Sequence, residues 1–359
     1  MSMHAVTYEG PRELVYGERP DPPLAPGDVR IAVESAGVCG TDVRIFKGEH
    51  AAYAGGRGRV PGHEIAGRIA EAPPGALPAG LAVGGLVFVA PNIGCGHCPQ
   101  CRGGNENLCP ATEGIGITLD GGFADRVVVP ARAVRKGNLI PLDAAADPDA
   151  AVLIEPLACV LRGQEKAGVR AGDTVLVAGC GPVGLLHVAL ARARGAETVL
   201  ASDPSPQRRL AAARAGAAVV VDPAAEDLAA AVAEATGGAG AGVVITAAPV
   251  HALQSEAVRL AGVGGRVLLF GGLPRGRPTV ELDTNAIHYK ELVVTGTTAS
   301  TLQDCRRAAE LVGQGRIDLA WMVSDTLPLA DAARAVDKVQ DAAALKVVLK
   351  PSANGRVAP

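Results

Sequence analysis

The stretch Thr174–Gly184, with the sequence TVLVAGCGPVG, joins a buried-strand run to a glycine-rich turn and decides the fold of its part of the chain. Its first five residues are apolar or β-branched, which is typical of a strand covered on both faces. The turn carries glycines at positions 179, 181 and 184, and a stretch with helical spacing follows. A G-x-G-x-x-G pattern between a strand and a helix predicts a turn that holds the pyrophosphate of a dinucleotide.

Each glycine of this turn has a physical reason to be there. Gly179 permits the tight turn, Gly181 lets the backbone approach the phosphates, and Gly184 permits close packing of the helix on the strand. The helix N-terminus adds free N–H groups and a partial positive charge. We therefore expect Gly179, Gly181, Val183 and Gly184 to bind the cofactor. The alternative is a glycine-rich turn in an unrelated α/β domain.

An acidic residue at the end of the next predicted strand bears on which dinucleotide binds. Asp203 lies 24 positions after Gly179, where a carboxylate can accept both ribose hydroxyls of NAD and repel the 2′-phosphate of NADP. Arg208 and Arg209 follow closely, and an arginine there can accept a 2′-phosphate or stack on the adenine. We expect Asp203 and Arg208 to contact the cofactor and NAD to be preferred, with NADP as the alternative. Without this function, Asp203 would only cap the next helix.

The second half of the chain alternates between strands and helices. Buried-strand runs are expected at residues 198–201, 218–221, 243–245 and 266–270, with helices at 206–215 and 228–235 between them. This alternation predicts a doubly wound parallel sheet of the α/β class. Further helices are expected at residues 303–313 and 329–340, before a final strand at 346–350. From about residue 4 to residue 129 the runs are short, strand-like and separated by turns, without a long amphipathic helix.

Length and charge exclude several classes of protein. The 359 residues suffice for two domains, and the 48% of apolar residues argues against disorder. The net charge of −3 gives no reason to expect nucleic acid or an anionic membrane as a partner. The stretch Thr174–Ala191 has the length of a membrane span, but three glycines and a proline interrupt it. The first ten residues lack the features of a secretory signal, so we expect a cytoplasmic protein.

Four of the eight cysteines stand close together in a glycine-rich loop. Cys95, Cys98, Cys101 and Cys109 form the pattern C-x2-C-x2-C-x7-C. Four thiolates at such spacing can close a tetrahedral zinc site, which has no open position and is therefore structural. Disulfides would conflict with a cytoplasmic location, and an iron–sulfur cluster has the same ligand count. We expect Zn²⁺.

The order of several motifs identifies a family. The chain resembles the zinc-containing medium-chain dehydrogenases, the alcohol dehydrogenase family, over nearly its whole length. The motifs are CGTD at 39–42, PGHE at 61–64, the four-cysteine loop, IEPLAC at 154–159, GCGPVG at 179–184, FGGLP at 270–274 and VTGTTAS at 294–300. Within the family the chain is most similar to the sorbitol (polyol) and threonine dehydrogenase branch. The mark of that branch is Glu155, where classical alcohol dehydrogenases have a second cysteine ligand.

The resemblance implies a catalytic zinc in addition to the structural one. Cys39 and His63 are then zinc ligands, and either Glu64 or Glu155 completes the set. In the polyol branch Glu64 can ligate directly while Glu155 orients the metal-bound water, so both are candidate catalytic residues. Asp42 would orient His63 from behind. Zinc lowers the pKa of an alcohol oxygen, and hydride then passes to the nicotinamide.

The resemblance also implies a proton relay, which here departs from the family pattern. Thr41 matches the hydroxyl that passes the alcohol proton outward to the cofactor ribose. The family histidine three positions later is Arg44 in this chain, and an arginine stays charged and cannot carry the proton. The relay must therefore end in water or another group, for which His50 is a candidate.

The family fold implies a mainly β, partly opened barrel of the GroES-like type beside the dinucleotide-binding Rossmann domain. We expect a catalytic domain of residues 1–155 with 299–359, and a cofactor domain of residues 156–298. The change of pattern near Ala151 supports the first boundary independently. A homodimer or homotetramer is expected by resemblance.

The expected function is an NAD-dependent zinc oxidoreductase. It would convert a secondary alcohol of a polyol, sugar or cyclitol into a ketone. An amino alcohol such as threonine, or a simple alcohol, is the alternative substrate. Two alternatives are not enzymes: a zinc-ribbon protein, disfavoured by the charge, and a redox-sensing NAD-binding protein, which would give Cys39, His63 and Glu155 no purpose.

Overall fold

The computed structural model describes residues 2–274, 276–341 and 344–351, which fold into two compact units. The first unit comprises the described residues of Met1–Glu155 and Ser300–Pro359, and the second comprises those of Pro156–Ala299. The strands are β1 (Ser2–Gly10), β2 (Glu13–Pro20), β3 (Val29–Val38), β4 (Glu64–Glu71), β5 (Leu86–Val89), β6 (Asn92–Ile93), β7 (Glu113–Gly114), β8 (Arg126–Val129), β9 (Leu139–Pro141), β10 (Thr174–Ala178), β11 (Thr198–Ser202), β12 (Val219–Val221), β13 (Ala241–Thr246), β14 (Ala261–Leu269), β15 (Val293–Gly296), β16 (Val323–Pro328) and β17 (Lys346–Lys350).

Helices connect or flank these strands. They are α1 (Gly40–Phe46), α2 (Pro99–Arg102), α3 (Ala131–Lys136), α4 (Pro148–Ala151), α5 (Ile154–Lys166), α6 (Pro182–Ala193), α7 (Pro206–Arg214), α8 (Leu228–Ala235), α9 (His251–Leu260), α10 (Thr284–Tyr289), α11 (Leu302–Gly313) and α12 (Ala332–Gln340). Short 3₁₀ helices lie at Ala51–Tyr53, Glu106–Leu108, Ala320–Met322 and Leu329–Asp331.

The second unit is built on one parallel sheet. Its six strands follow the order β12-β11-β10-β13-β14-β15, and every pairing is parallel. The strand β10 lies inside the sheet, and its residues Val175, Leu176 and Val177 are fully buried. Parallel sheets need cover on both faces, which explains the uninterrupted apolar runs in the sequence. The parallel α/β sheet expected here is therefore present.

The edge strand β12 corrects one expectation. The run 218–221 was expected to be buried on both faces, but Val220 is exposed and Val219 only half-buried. β12 pairs with β11 alone among the described strands. Because an edge strand lacks one neighbour, its apolar side chains keep access to solvent. The helix expected at 329–340 is likewise split, since Leu329–Asp331 forms a 3₁₀ turn before α12.

The first unit is mainly antiparallel. Its largest sheet has the order β16-β17-β3-β4-β5-β9, and β8 also pairs with β3. Buried Val and Ile side chains from these strands form one core, with Ile31, Ile65 and Val87 fully buried, and Phe123 from the loop before β8 packs into it. Strand β3 pairs with β4, β8 and β17, so residues distant in sequence meet at its C-terminal end. That end leads directly into the candidate metal site.

Among the described residues, no helix has the length and apolarity that crossing a membrane requires. The uncharged stretch Thr174–Ala191 consists of the buried strand β10, the glycine-rich turn and most of helix α6.

Candidate active site and metal centres

The glycine-rich turn has the geometry that a phosphate-binding turn needs. Gly179 has φ +101°, a conformation that side chains rarely adopt. A Cβ on Gly184 would lie 1.9 Å from the Gly179 carbonyl oxygen, so any side chain there would separate helix α6 from the turn. A Cβ on Gly181 would meet no atom within 4 Å. The backbone at Gly181 therefore faces open space, which fits close approach by a ligand.

Asp203 holds this turn from the end of the neighbouring strand β11. One carboxylate oxygen accepts the backbone N–H of Cys180 at 2.9 Å, and the other accepts that of Ser205 at 2.9 Å. The residue is 3% exposed. A carboxylate has about four acceptor directions, so these two bonds leave capacity for ribose hydroxyls. Asp203 thus holds the turn, whereas the N-cap of the next helix, α7, is Ser205 and not Asp203 as the alternative had it.

The two arginines after Asp203 have different partners. Arg209 donates to the carbonyls of Asp203 and Pro204 at 2.8 and 2.9 Å and pairs with Asp222 at 3.0 Å. Arg208 lies 3.7 Å from the Asp203 carboxylate and keeps a partly exposed side chain. Arg208 is therefore the more available of the two for a cofactor.

The four cysteines of the loop 95–109, here called the Cys lobe, converge on one point. The four sulfurs lie within 4.8 Å of one another, and none forms a disulfide. Backbone N–H groups of Cys95, Cys98 and Cys101 each approach a neighbouring sulfur at 3.4 Å. N–H groups directed at sulfur stabilise thiolates, and four thiolates around one point need a cation.

The thiols of the Cys lobe differ in acidity in a way that fits a metal. Hydrogen bonds from the backbone N–H of Cys95 and neighbouring groups lower the pKa of Cys109 to about 6. Burial raises the pKa of Cys101 to about 12. Without a cation, the sulfurs would therefore not all be ionised near neutral pH. A zinc ion bound there would supply the charge that lets all four act as thiolates.

The Cys lobe is attached to the segment that returns to the first unit. Glu106 accepts the backbone N–H of Leu302 at 2.7 Å, at the first turn of helix α11. The Asn92 amide donates to the Ser300 carbonyl at 3.0 Å. Cys98 also caps helix α2 by accepting the backbone N–H of Cys101. Folding of the lobe therefore stabilises the start of α11.

A second cluster lies where strand β3 leads into helix α1. Cys39 occupies the N-cap of α1, and His63 and Glu64 stand at the start of β4. One ligand atom from each lies within 4.8 Å of the others. Only these three residues and the Cys lobe form such groups among the described residues. With three protein ligands, this cluster leaves a tetrahedral metal one open position.

Asp42 supports His63 from behind. Its Oδ1 lies 3.7 Å from His63 Nδ1, and its Oδ2 accepts the backbone N–H of Cys39 at 2.9 Å. Burial opposes protonation of His63, but the Asp42 charge outweighs it and raises the pKa well above its usual value. Because Nδ1 faces Asp42, Nε2 is the nitrogen left for a metal.

A lysine that the sequence did not single out completes the surroundings of this cluster. Lys346, at the start of β17, donates to Glu64 Oε2 and to the Val38 carbonyl, the latter at 3.3 Å. Burial opposes its charge, yet the nearby anions Glu64, Cys39 and Glu155 raise its pKa above its usual value. A lysine at the start of an otherwise apolar strand run was the available signal.

The remaining candidates are not part of this cluster. Glu155 stands in the first turn of α5 and is 7% exposed, but it is outside the group of mutually close ligand atoms. Thr41 is half-buried on α1, and Arg44 on the same helix is exposed. His50 uses Nδ1 to accept the backbone N–H of Ala52 at 3.3 Å. His50 is thus already engaged as a helix cap.

One unit contains a turn suited to binding a dinucleotide, and the other contains two clusters suited to binding metal ions. Together these features are typical of a dehydrogenase that uses zinc and a nicotinamide cofactor. Residues 25–142 match the family model "Alcohol dehydrogenase GroES-like domain", and residues 182–314 match "Zinc-binding dehydrogenase". With the relatives below, these matches show that the chain belongs to the zinc-containing medium-chain dehydrogenases, as an NAD(P)-dependent oxidoreductase of alcohols.

The relatives span almost the whole chain. L-galactonate-5-dehydrogenase of Escherichia coli is 34% identical over 337 residues, covering 94% of this chain and 95% of the relative. L-threonine 3-dehydrogenase of Bacillus velezensis is 32% identical over 338 residues, covering 93% and 94%. A zinc-binding dehydrogenase of Sinorhizobium meliloti, solved with NADP bound, has a TM-score of 0.90 and 36% identity, covering 98% of this chain and all of that one. The family, its polyol and threonine branch, and the fold class expected from the sequence are confirmed.

Proposed function

We propose that this dehydrogenase interconverts a secondary alcohol of a polyhydroxylated substrate (a polyol, sugar or cyclitol) and the corresponding ketone. The observation that carries the proposal is the open cluster of Cys39, His63 and Glu64, in which a carboxylate stands close to one sulfur and one imidazole. The name of the Escherichia coli relative, L-galactonate-5-dehydrogenase, describes oxidation within a polyhydroxylated acid and supports this choice. The threonine dehydrogenase relative favours an amino alcohol as the second candidate.

We infer the following ligand sets. Cys39, His63 and Glu64 hold a catalytic zinc, and Glu155 lies beside it without being a permanent ligand. The Cys lobe holds a structural zinc through Cys95, Cys98, Cys101 and Cys109. One set is open and the other closed, which is the difference between catalytic and structural sites. The first unit then acts as the catalytic domain and the second as the cofactor domain.

The chain's own residues would divide the work as follows. Zinc, when bound, is a Lewis acid that lowers the pKa of an alcohol oxygen. Asp42 would fix the orientation of His63, and Glu155 would accept a hydrogen bond from a water molecule beside the reacting hydroxyl. Thr41 Oγ would accept the alcohol proton while its own hydroxyl proton passes outward to water, because Arg44 stays charged and cannot carry a proton. The glycine-rich turn binds the cofactor pyrophosphate through Gly181, Val183 and helix α6.

A substrate screen tests the proposal. Purified protein with NAD or NADP is offered matched panels of polyols, sugars, sugar acids, cyclitols, amino alcohols and simple alcohols, and reduced cofactor is followed by its absorbance. We expect the highest kcat/KM among the polyhydroxylated secondary alcohols. The highest value with threonine or another amino alcohol would replace the proposal by the second candidate. No turnover in any panel by zinc-loaded protein would contradict both.

The cofactor preference is expected to depend on the charge of Asp203. We propose that wild type prefers NAD and that Asp203→Asn lowers the NAD-to-NADP ratio of kcat/KM by roughly ten- to a hundredfold, the size of a hydrogen bond to a charged group. The NAD-to-NADP ratio of kcat/KM is the decisive measurement. The substitution also loosens the turn that Asp203 holds, but this effect is common to both cofactors and cancels in the ratio. Arg208→Gln is the matched control and should lower kcat/KM with NADP more than with NAD. A wild-type preference for NADP would show that Arg208 outweighs Asp203.

Glu155 is expected to matter for turnover and not for metal retention. Glu155→Gln preserves the shape and removes the charge, so kcat should fall by about a hundredfold, the size of a lost acid–base or oriented hydrogen-bond contribution. Zinc content should stay at two per chain, whereas Glu64→Gln should lower the occupancy of the open site. Zinc loss in Glu155→Gln with retention in Glu64→Gln would reverse the two assignments.

We further propose a homo-oligomer, a dimer or a tetramer. β15 is an edge strand of the described sheet, and its Val293 is 54% exposed. An edge strand with an exposed apolar side chain is a template for pairing with another strand. Light scattering after size exclusion measures the mass.

A cytoplasmic location is proposed as well, since the thiolates of the Cys lobe need a reducing compartment.

A further inference from the structure

A buried ion pair stands directly behind the open metal cluster. Lys346 is 3% exposed and Glu64 is 0% exposed, and the ammonium donates to Glu64 Oε2. Burying both charges is costly, and such pairs seldom stabilise a fold more than apolar residues of equal size would. A reason for the pair is therefore to be sought in the chemistry of the cluster.

The two oxygens of Glu64 are treated differently. Oε2 is bound to Lys346, while Oε1 is buried and has no hydrogen-bond partner among the described residues. An unpaired buried carboxylate oxygen is unfavourable unless a cation satisfies it. The same side chain contributes an oxygen to the cluster with Cys39 and His63. One carboxylate therefore connects the lysine to the metal site.

The lysine also balances charge. Cys39, Glu64 and Glu155 bring three negative charges to this region when ionised, and all three act electrostatically on Lys346. A divalent zinc balances two of them. The Lys346 ammonium supplies a further positive charge beside Glu64. It therefore attracts the same carboxylate that would bind the metal.

We propose that Lys346 is a positioning residue that restrains Glu64, so that this carboxylate remains a single-oxygen, weakly held zinc ligand and the open position stays available to the alcohol. This inference rests on the proposed zinc ligands. A hydrogen-bond acceptor behind a ligand strengthens that ligand. A cationic donor behind it has the opposite effect, because it withdraws charge from the oxygen. Removing the ammonium frees Oε2 to approach the metal.

Replacing Lys346 tests the idea through metal exchange. Lys346→Met keeps an unbranched stem of similar length and removes the charge. We expect zinc in the open site to be released to a chelator roughly tenfold more slowly than in wild type, the scale of effects from groups behind metal ligands. Cobalt placed in the open site should show weaker visible absorption, because added carboxylate oxygen raises its coordination number. Lys346→Arg should restore both wild-type values.

The Glu64→Gln background shows whether the lysine acts through Glu64. Adding Lys346→Met to Glu64→Gln should leave zinc release unchanged, because the carboxylate that the lysine restrains is gone. If Lys346→Met alone fails to fold, Lys346→Gln takes its place, because its amide is uncharged but can still donate a hydrogen bond, and zinc release should again be slower than in wild type. Unchanged or faster zinc release in Lys346→Met, or an equal effect in the Glu64→Gln background, would overturn the inference.

Metal content separates the inference from the proposed function. Two zincs in wild type with identical release from Lys346→Met would reject only the role of Lys346. A single zinc in wild type that is retained after Cys39→Ala would reject the open zinc site, and the role of Lys346 with it.

Discussion

Replacing His63 by alanine is expected to abolish alcohol oxidation while the protein stays folded. His63 offers its Nε2 to the open cluster, because its Nδ1 faces Asp42 at 3.7 Å. Removal of the imidazole takes away one of the three ligands that we propose for the catalytic zinc, and Lewis-acid assistance is worth several kcal/mol. We expect kcat/KM to fall by about a thousandfold or more. Zinc should drop from two per chain to one, the one in the Cys lobe.

Two variants sharpen this prediction. His288→Ala removes an exposed histidine on α10 and should keep both zincs and full activity. Asp42→Asn keeps the ligand but removes the charge behind it, so metal affinity or activity should fall by only about 10–100-fold. Thermal unfolding of His63→Ala should remain close to wild type. Wild-type turnover in His63→Ala would remove the open cluster from the mechanism.

The features that sequence alone could locate are local ones. The glycine-rich turn, its strand and the start of its helix lie within eleven consecutive residues, Thr174–Gly184. The Cys lobe is equally local, since fifteen residues contain all four sulfurs. Each pattern carries its own physical reason, because a turn needs glycine and a tetrahedral metal needs four donors. Local chemistry therefore sufficed to predict these two elements.

The features that sequence alone could not locate depend on contacts across the fold. Lys346 meets Glu64 only because β17 and β4 both pair with β3, which brings together residues 282 positions apart. The choice between Glu64 and Glu155 was likewise open, since both stand in motifs of the family. The structure groups Glu64, and not Glu155, with Cys39 and His63. The edge position of β12 could not be predicted from sequence, because its apolar run resembles that of a central strand.

Replacing Cys101 by serine is expected to fail in a different way from His63→Ala, through stability. The Cys101 sulfur lies 3.9 Å from that of Cys95, inside the closed group of four. A hydroxyl does not replace a thiolate as a zinc ligand, so the lobe should lose its metal. Binding of a structural zinc contributes folding free energy. We expect Tm to fall by roughly 3–4 °C, the shift that about 2–3 kcal/mol produces in a chain of 359 residues.

The effect should extend beyond the lobe because a lobe side chain contacts the first turn of helix α11. Glu106 accepts the backbone N–H of Leu302, so loss of the lobe leaves the start of α11 without that partner. Hydrogen exchange should accordingly rise both at residues 95–109 and at the first turn of α11. Cys159→Ser is the matched control, a cysteine outside both clusters, and should keep the lobe zinc. Retention of two zincs and a wild-type Tm in Cys101→Ser would show that the lobe folds without a metal. The closed cluster would then be a packing feature, and the contrast between structural and catalytic sites would no longer hold.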